Sequence, residues 1–592
     1  MRFYSNGNWT GRRIDPRFGP LYWWRLTTSA PLPSLNPLKF DVVPPNPTIL
    51  KRSGLLLFLL FGLLSTAGSQ SFTDSNLPIL VIETNGQVIP DEPKITVEMG
   101  LIANPAGERN GLDDAFLGYE GWAGLEVRGS TSQELFDKKS YALETRTATA
   151  DNRNVSLLGM PKENDWVLHG PYSDKSLIRN ALAYRLAALV TDYAPRIRFV
   201  ELVIDGSYEG LYLLTEKIKR DKNRVAISKL RPEDESGDPL TGGYILKIDK
   251  TTGVNSSGFV SEHPPRPGST QQVSFLYHEP KGRDITAVQQ AYVQGQIRGL
   301  ENLLQGSDYA DSLRGYPQYF DRASLVDYFI VNELCKNIDA YRLSTFLVKD
   351  RDSVDPRWRM GPVWDFNTAF GNVEFCAGAA VEGWVVDFNS VCPDNAWPVP
   401  FWWQRFWADP SFRRAVRNRW YELRGDVLSD GQLEFYLDSL GHTIGEAQRR
   451  NFERWPVLSK YVWPNWFVGD AHAEEMDYLS NWLSERTAWI DAQLAAPISS
   501  DVPGGGSFVP RVSPNPFWQE LRLEYATRGG QEVAVQLFNA QGQLLLHQVD
   551  RDRPEGVHTL DLAVAELPAG IYFYQLRIDA NTVGEGKLIK GR

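Results

Sequence analysis

The chain has 592 residues, which is too long for one hydrophobic core and predicts two to four domains. Hydrophobic residues make up 42% and charged residues 23% of the sequence, as in an ordinary soluble globular protein. The net charge of −11 argues against a general nucleic-acid binder, because such proteins present a basic surface. With 3 cysteines, no Cys-x-x-Cys pair and 7 scattered histidines, the sequence also argues against a zinc site.

Residues 51–70 have the pattern of a signal peptide. The basic pair Lys51-Arg52 precedes an apolar run of about 10 residues, and small residues follow at 65–69. This run is too short for a stable transmembrane span, which needs about 20 apolar residues. Residues 1–50 are proline-rich and show no periodicity. They are either a disordered extension or the product of a mis-assigned start codon, and we favour the second interpretation.

The pattern of residues 71–496 changes from β-rich to α-rich. The predicted strands lie at 77–102 (paired about the turn Thr84-Asn85-Gly86), 199–204, 208–216 and 243–249, and 344–348 is a further apolar run. The predicted helices lie at 177–190, 285–304, 325–336, 412–423, 432–440 and 473–494. This order predicts an α+β fold. The tryptophan-rich region 384–466 is more typical of a packed helical core than of a sugar-binding surface.

The three cysteines have different expected roles. Cys376 and Cys392 bracket a glycine-containing loop and predict a disulfide in an exported protein. Cys335 lies inside an apolar run and is expected to be a buried free thiol.

Two acidic motifs occur where apolar runs end. They are Asn337-Ile338-Asp339 and Trp364-Asp365-Phe366-Asn367. In an extended segment Asp365 and Asn367 would point to the same face and form a pair suited to a hard divalent metal. The alternative is that Asp339 caps a turn and Asp365 opens one. Taken alone, the residues favour this alternative.

A second set of motifs lies upstream. Residues 125–132 predict a strand that runs into a turn of small residues, which frees backbone N–H groups to meet phosphate. Lys138-Lys139-Ser140-Tyr141 then begins a returning strand with alternating polar and apolar residues. A lysine at this point is suited to neutralising phosphate, although a lysine in a strand is more often a solvated edge residue.

Together these motifs resemble the spore-coat-protein-H (CotH) family of atypical, secreted protein kinases. The matching residues, in order, are Arg128-Gly129-Ser130, Lys138-Lys139-Ser140-Tyr141, Asp165-Trp166, Arg179-Asn180, Tyr208-Glu209-Gly210-Leu211-Tyr212, Glu216-Lys217-Ile218, Asn337-Ile338-Asp339 and Trp364-Asp365-Phe366. The resemblance implies a two-lobed, kinase-like core over residues 125–496, preceded by a β-rich segment at 71–124. It also implies that ATP and a divalent metal, Mg²⁺ or Mn²⁺, are bound between the lobes.

The resemblance and the chemistry of the residues suggest roles for individual side chains. Asp339 is expected to deprotonate the accepting hydroxyl, and Asp365 to hold the metal. Asn367, where better-studied members carry Asp, is expected to be an auxiliary ligand with one charge fewer. Lys139 is expected to neutralise the phosphates of the nucleotide, with Lys138 as second choice, and Arg128 and Ser130 are expected to frame them. Glu216 is expected either to pair with Lys139 or to contact the nucleotide. Asp165, Arg179 and Asn180 support the site, more as caps or salt bridges than as ligands.

The C-terminal region has a separate organisation. Residues 497–508 form a predicted linker with Gly504-Gly505-Gly506. Short alternating strands with Gly, Pro and Asn turns over 509–592 predict a small β-sandwich. Its motifs resemble the type A sorting domain of the type IX secretion system, which implies passage across the outer membrane. The alternative is an adhesion-type sandwich.

The sequence therefore predicts a secreted or cell-surface atypical kinase that transfers phosphate from ATP to Ser or Thr of an acceptor protein. Its other expected partner is the type IX secretion machinery. One alternative is a catalytically weak or inactive kinase-like binding protein of the cell surface. A second alternative is a metal-dependent hydrolase, although the histidine ligands of most such sites are missing.

Overall fold

A computed structural model describes residues 72–252, 257–495, 511–528, 532–539, 543–551, 555–578 and 581–591. The predicted signal peptide and linker lie outside these residues. No helix in the described part of the chain is both long enough and apolar enough to cross a membrane.

The N-terminal part is a closed barrel of seven strands. The strands of this part are β1 Asp74–Ser75, β2 Ile79–Glu83, β3 Ile95–Ile102, β4 Asn110–Gly111, β5 Tyr119–Arg128, β6 Ser140–Arg146, β7 Asp165–His169, β8 Ile197–Ile204 and β9 Ser207–Glu216. Around the barrel the order is β2-β3-β5-β6-β7-β9-β8. The parallel pairing of β2 with β8 closes it, and β1 pairs with β4 outside it. Residues 72–124 thus supply two of the seven strands and most of a third.

The barrel follows from alternating side chains and tight turns. Leu80, Val97, Leu125 and Trp166 fill its interior, where each is fully buried. Asp205 and Gly206 link β8 to β9 and both have positive φ, 47° and 73°, as a two-residue hairpin turn requires. The predicted hairpin at this position is confirmed.

Two short helices and one longer helix occur along the chain between the barrel strands and before the second sheet. They are α1 Thr131–Leu135, α2 Arg179–Val190 and α3 Gly237–Leu240. The second sheet has the order β11-β12-β10-β13-β14, with β10 Tyr244–Ile248, β11 Gly258–Val260, β12 Ser274–Glu279, β13 Thr345–Lys349 and β14 Trp358–Met360. All of its strand pairs are antiparallel.

The remaining helices pack against one another, against this sheet or, for the helix at 447–454, against β9 of the barrel. They are α4 Ala287–Gln305, α5 Arg322–Cys335, α6 Phe388–Val391, α7 Trp402–Ala408, α8 Pro410–Arg424, α9 Asp430–Thr443, α10 Ala447–Arg454 and α11 His472–Ala495, with 3-10 turns at Tyr316–Gln318 and Val385–Asp387. Trp402, Trp403 and Phe406 are buried in the same core as α5, which confirms the packed-core prediction for the aromatic region. Trp466 is an exception, because it is 62% exposed.

The C-terminal region contains two antiparallel sheets. Their strands are β15 Arg511–Ser513, β16 Glu520–Arg528, β17 Val533–Asn539, β18 Leu544–Asp550, β19 Glu555–Ala563, β20 Gly570–Ile578 and β21 Asn581–Lys590. One sheet has the order β15-β16-β19 and the other β18-β17-β20-β21. Leu523 and Tyr525 of the first sheet and Val535 and Leu576 of the second belong to one buried cluster. The chain is therefore an α+β protein with a β-rich C-terminal region.

Candidate active site

A cavity of about 120 Å³ lies at one end of the barrel. Several segments converge on it, among them the end of β5 with Arg128 and Gly129, residues 169–174 from the end of β7 onward, and residues 364–367. The lining residues are Arg128, Gly129, Ser132, Phe136, Ser140, Val167, His169, Gly170, Pro171, Tyr172, Ser173, Asp174, Asn180, Tyr184, Thr215, Trp364, Asp365 and Asn367.

Asp365 reaches this cavity from a turn. Its φ is +65°, so the expectation of an extended segment is wrong. The backbone N–H of Asp365 donates to the Tyr184 hydroxyl at 3.3 Å, which helps to hold this conformation. Asp365 and Asn367 are nevertheless in direct contact, because Nδ2 of Asn367 donates to Oδ1 of Asp365 at 2.5 Å.

Asn180 organises the segment from the first turn of α2. Its Oδ1 accepts the backbone N–H of Phe366 at 2.8 Å, and its Nδ2 donates to Oδ1 of Asn367 at 2.7 Å. The same Nδ2 lies 3.1 Å from Nε2 of His169. Four polar side chains, from His169 through Asn180 and Asn367 to Asp365, thus form a continuous hydrogen-bonded chain along the cavity.

The charge of Asp365 is poorly compensated. Burial, with the nearby carboxylates of Asp339 and Asp249, raises the pKa of Asp365 to about 6, while Arg128 and Lys247 oppose the shift. Lys247 is itself ion-paired with Asp249. Within the described residues no lysine or arginine forms an ion pair with Asp365. A perturbed carboxyl of this kind in a cavity is a candidate functional group.

Asp339 is held by contacts from two sides. The guanidinium of Arg342 donates to its Oδ1 at 2.6 Å, and the Thr368 hydroxyl donates to its Oδ2 at 3.3 Å. The adjacent Asn337 donates from Nδ2 to the backbone carbonyl of Asp365 at 3.1 Å, which links the two acidic motifs. α5 delivers this segment, since it ends at Cys335 and Lys336 turns the chain with φ +42°.

Arg128 is a cation at the cavity. Its guanidinium lies 5.0 Å from the centre of the Trp364 ring, and burial lowers its pKa although Asp365 opposes the shift. Gly129, with φ +120°, permits the close approach of Ser132, which an added Cβ would meet at 2.1 Å. Ser130, by contrast, is exposed before α1, makes no capping bond and does not line the cavity.

The two lysines that were predicted at the nucleotide do not line this cavity. Nζ of Lys139 donates to the carbonyl oxygens of Gln133 and Phe136 at 2.7 and 2.5 Å, which closes the turn after α1. Lys138 is buried and donates to the Leu211 carbonyl and to Oδ1 of Asn451 on α10. No lysine is among the described residues that line the cavity.

Glu216 sits in a buried ion-pair network. Its carboxylate accepts from Arg196 Nη1 at 2.6 Å and from the Tyr193 hydroxyl at 3.1 Å, and it lies 3.6 Å from Nε of Arg224. It makes no contact with Lys139 in the described structure.

Asp165 and Arg179 are also ion-paired, and only Asn180 of the three predicted supports lines the cavity. Asp165 pairs with Lys217 and Lys219, which together hold its pKa at about 2 against the opposing effect of burial. Arg179 bonds Asp174 at 2.7 Å.

Several contributors to the site were missed by the sequence reasoning. Arg342 follows Asp339 by three residues, a spacing that places the two side chains together in a helical turn and would have been a usable signal. His169 and Tyr184 carry no such signal, because only the closing of the barrel and the packing of α2 bring them to the cavity. Asp249, which follows β10, carries none either and acts on Asp365 through its charge.

The loop between Cys376 and Cys392 underlies the Asp339 segment. The predicted disulfide is confirmed, and Cys335 is a buried free thiol as expected. Nζ of Lys336 donates to the carbonyls of Ala380 and Glu382, and Nη1 of Arg486 donates to those of Val381 and Gly383. The loop is therefore fixed by its own backbone against the end of α5 and against α11.

The described residues contain no cluster of three or more His, Cys, Asp or Glu side chains placed to hold a metal ion. This does not conflict with a magnesium site. Mg²⁺ commonly uses one or two carboxylates and takes its remaining ligands from water and substrate phosphates.

Comparison with known families decides the identity of this fold. The family described as CotH kinase protein matches residues 125–490, more than half of the chain. The chain belongs to the CotH kinase protein family. A second match covers residues 511–590 and is described as a secretion system C-terminal sorting domain. The CotH domain is thus followed by a domain that directs type IX secretion, and the protein is secreted or displayed on the cell surface.

Comparisons with individual proteins add little. Among curated proteins none matches. One solved structure that matches is Pseudomonas fluorescens alkylpurine DNA glycosylase AlkC bound to DNA containing an abasic site analog, at 9% identity and a TM-score of 0.10. The match covers 35% of this chain and 59% of that one, so this chain spans about three fifths of its length. A TM-score this low carries no argument about the CotH domain.

Proposed function

We propose that this protein is a secreted atypical kinase that transfers the γ-phosphoryl group of ATP to Ser or Thr of an acceptor protein, with Mg²⁺ or Mn²⁺. The observation that carries the proposal is the carboxylate of Asp365 at the cavity, beside Arg128 and Gly129. The carboxylate of Asp339 is near enough to raise the pKa of Asp365. On this proposal the barrel is the N-terminal lobe and the second sheet with its helices the C-terminal lobe of a kinase-like core. Residues 51–70 act as the signal peptide, and the two C-terminal sheets pack as a β-sandwich.

The side chains present fit a divalent cation. Asp339 and Asp365 are hard oxygen donors, and the raised pKa of Asp365 reflects burial and like charges, which a bound cation would offset. When bound, the metal–nucleotide complex supplies the phosphoryl group and the positive charge that neutralises its oxygens. Asp365 is the residue proposed to hold the metal.

The remaining residues position and exchange protons. Arg342 and Thr368 hold the Asp339 carboxylate so that it can accept the proton of the acceptor hydroxyl. Arg128 supplies positive charge at the cavity, a role that the sequence had suggested for Lys139 or Lys138. The N–H groups around Gly129 are suited to phosphate oxygens.

A second candidate function is a kinase-like binding protein with little or no catalysis. The positions of Lys138 and Lys139 favour it, because both ammonium groups are occupied by protein acceptors. On this proposal ATP binds but is not turned over.

Titration of the full chain with ATP and either Mg²⁺ or Mn²⁺ tests both candidates. The kinase proposal expects metal-dependent binding and transfer of radiolabelled phosphate to an acceptor protein or to the chain itself. Binding without transfer supports the second candidate. No nucleotide binding with either metal would contradict both.

A further inference from the structure

The hydrogen bonds around Asn180 admit one assignment of donors and acceptors. The backbone N–H of Phe366 can only donate, so the atom of Asn180 that faces it at 2.8 Å is the oxygen. The amide nitrogen of Asn180 must then face the opposite way, toward Asn367 and His169. Asn180 is 4% exposed, so water does not compete for these bonds.

The assignment continues to Asp365. Because Asn180 presents its nitrogen, the atom of Asn367 that meets it at 2.7 Å is the oxygen. The nitrogen of Asn367 is then left to face Asp365 at 2.5 Å, where an ionised carboxylate can only accept. The fixed donor at one end and the carboxylate at the other require the same orientation of both amides.

His169 completes the chain. Its Nε2 faces the same Asn180 nitrogen at 3.1 Å, so this ring atom accepts and the imidazole proton is on Nδ1. Burial lowers the pKa of His169 to about 4, which agrees with a neutral ring.

We propose that Asn367 is a positioning residue, which donates its amide N–H to orient Asp365, and that it is not a metal ligand. Asn180 fixes this orientation and couples it to the tautomer of His169. The proposal rests on the proposed function in one respect, since it takes Asp365 as the residue that holds the metal. It departs from the sequence-based expectation that the Asn367 oxygen is an auxiliary ligand.

The alternative has an identifiable cost. To offer its oxygen to a metal beside Asp365, Asn367 must turn its amide over and set its N–H₂ group against that of Asn180. Two donors then face each other, and the one on Asn180 is buried. Leaving a buried donor unpaired costs about 1–3 kcal/mol.

A double-mutant cycle separates the two roles. Asn180→Asp keeps an oxygen for the Phe366 N–H but replaces the donor that faces Asn367 with a second acceptor. Asn367 must then turn its nitrogen to position 180 and its oxygen to Asp365. Made also in the Asn367→Leu background, the same substitution adds the same charge without this reorientation.

The readout is the affinity for Mn²⁺ with a non-hydrolysable ATP analogue, measured on the full-length chains. We expect Asn180→Asp to weaken Mn²⁺ binding more when Asn367 is present than when it is replaced by Leu. The two effects should differ by at least about tenfold, which is the lower end of the effects seen for groups that orient metal ligands. If Asn180→Asp instead tightens Mn²⁺ binding in the chain that keeps Asn367, the turned oxygen of Asn367 ligates the metal, and the proposal is overturned. Equal effects in both backgrounds would also overturn it.

A second measurement needs neither metal nor activity. With ¹⁵N-labelled histidine rings and His169→Gln for assignment, NMR is expected to show His169 protonated at Nδ1 in the wild type and at Nε2 in Asn180→Asp. An Nε2-protonated ring in the wild type would overturn the donor order. If the wild type binds no Mn²⁺ with the analogue, the proposed function fails, and the NMR result alone decides the order of the hydrogen bonds. Unfolding midpoints of all variants identify any that fail to fold.

Discussion

Asp365 and Glu216 were both predicted at the nucleotide, and their surroundings differ in kind. Glu216 is fully buried and meets two arginines, a tyrosine hydroxyl and a backbone N–H. Asp365 meets one amide N–H and, beyond it, the charges of two further carboxylates. The protein thus pairs the charge of Glu216 directly, whereas it gives Asp365 only the distant opposing charges of Arg128 and Lys247.

This difference separates structural acids from functional ones. A buried carboxylate that is paired within the chain gains nothing from a ligand, whereas one among like charges gains most from a cation. Asp165, with its lysine partners and pKa of about 2, belongs with Glu216. Asp365 and Asp339 are the acids for which an external partner is physically useful.

The largest expected effect is that of Asp365→Ala. We expect metal-dependent ATP binding to be lost, because the proposed metal-holding carboxylate is gone. The unfolding midpoint of the metal-free protein should not fall, since Asp339 and Asp249 lose a like-charged neighbour. Calorimetry and thermal denaturation measure both.

Asp365→Asn is the matched control, because it keeps the shape of the side chain and an oxygen that faces Asn367. It should lose metal binding like Asp365→Ala. If either variant binds Mg²⁺–ATP with wild-type affinity, the contrast with Glu216 has no functional meaning.

Asp339→Asn should separate binding from chemistry. The amide oxygen still accepts from Arg342, so the segment stays in place, but an amide cannot take a proton. ATP binding should persist while phosphoryl transfer falls by about 10²–10⁴-fold, the usual contribution of a general base. Radiolabelled transfer at the wild-type rate would remove Asp339 from the mechanism.

The sequence predicted the individual helices, strands and turns of this fold better than the tertiary contacts between them. The hairpin about Asp205-Gly206, the helices α2 and α5 and the disulfide follow from local patterns of turn residues, periodicity and cysteine spacing. That β2 and β3 close the same barrel as β7 to β9 depends on a parallel pairing between residues about 120 positions apart, for which a single sequence carries no signal.

The site shows the same division. The motifs containing Asp339 and Asp365 were found because polar residues occur where apolar runs end, and the motif containing Arg128 because a predicted strand runs into a turn of small residues. The direction of the Lys138 and Lys139 side chains was not predictable, because it depends on the turn after α1 and on the docking of α10. The role of Asn180 required knowledge of which of its amide atoms faces Phe366.

Glu216→Gln should affect stability and not function. The substitution preserves shape but leaves Arg224, which is 3% exposed, beside a neutral amide. Breaking a buried ion pair in this way costs about 3–5 kcal/mol. We expect a lower denaturation midpoint and unchanged ATP affinity, measured at a temperature where the variant is folded. A tenfold loss of ATP affinity in the folded variant would show that Glu216 contributes to the nucleotide site after all.

The smallest effect concerns Lys138, a buried cation whose partners are neutral. Burial lowers the pKa of Lys138 to about 7, although Glu201 and Glu209 oppose the shift. In the unfolded chain this lysine keeps its proton up to about pH 10.4. Below pH 7 both states are protonated and the folded protein carries the full cost of the buried ammonium. Above pH 7 the folded state releases the proton first, so the cost falls as the pH rises.

Lys138→Met removes the charge and the bonds to Leu211 and Asn451 but keeps a side chain of similar length. The stability of the wild type relative to this variant should therefore increase by about 2.7 kcal/mol between pH 6 and pH 9, as the linkage relation gives for a folded-state pKa of about 7 and an unfolded-state pKa of about 10.4. Urea denaturation of both proteins across this range measures the difference, and all other titrating groups cancel because both proteins contain them. A difference that stays constant or shrinks as the pH rises would show that the ammonium is well accommodated by its two acceptors, and Lys138 would then belong with the compensated charges such as Glu216.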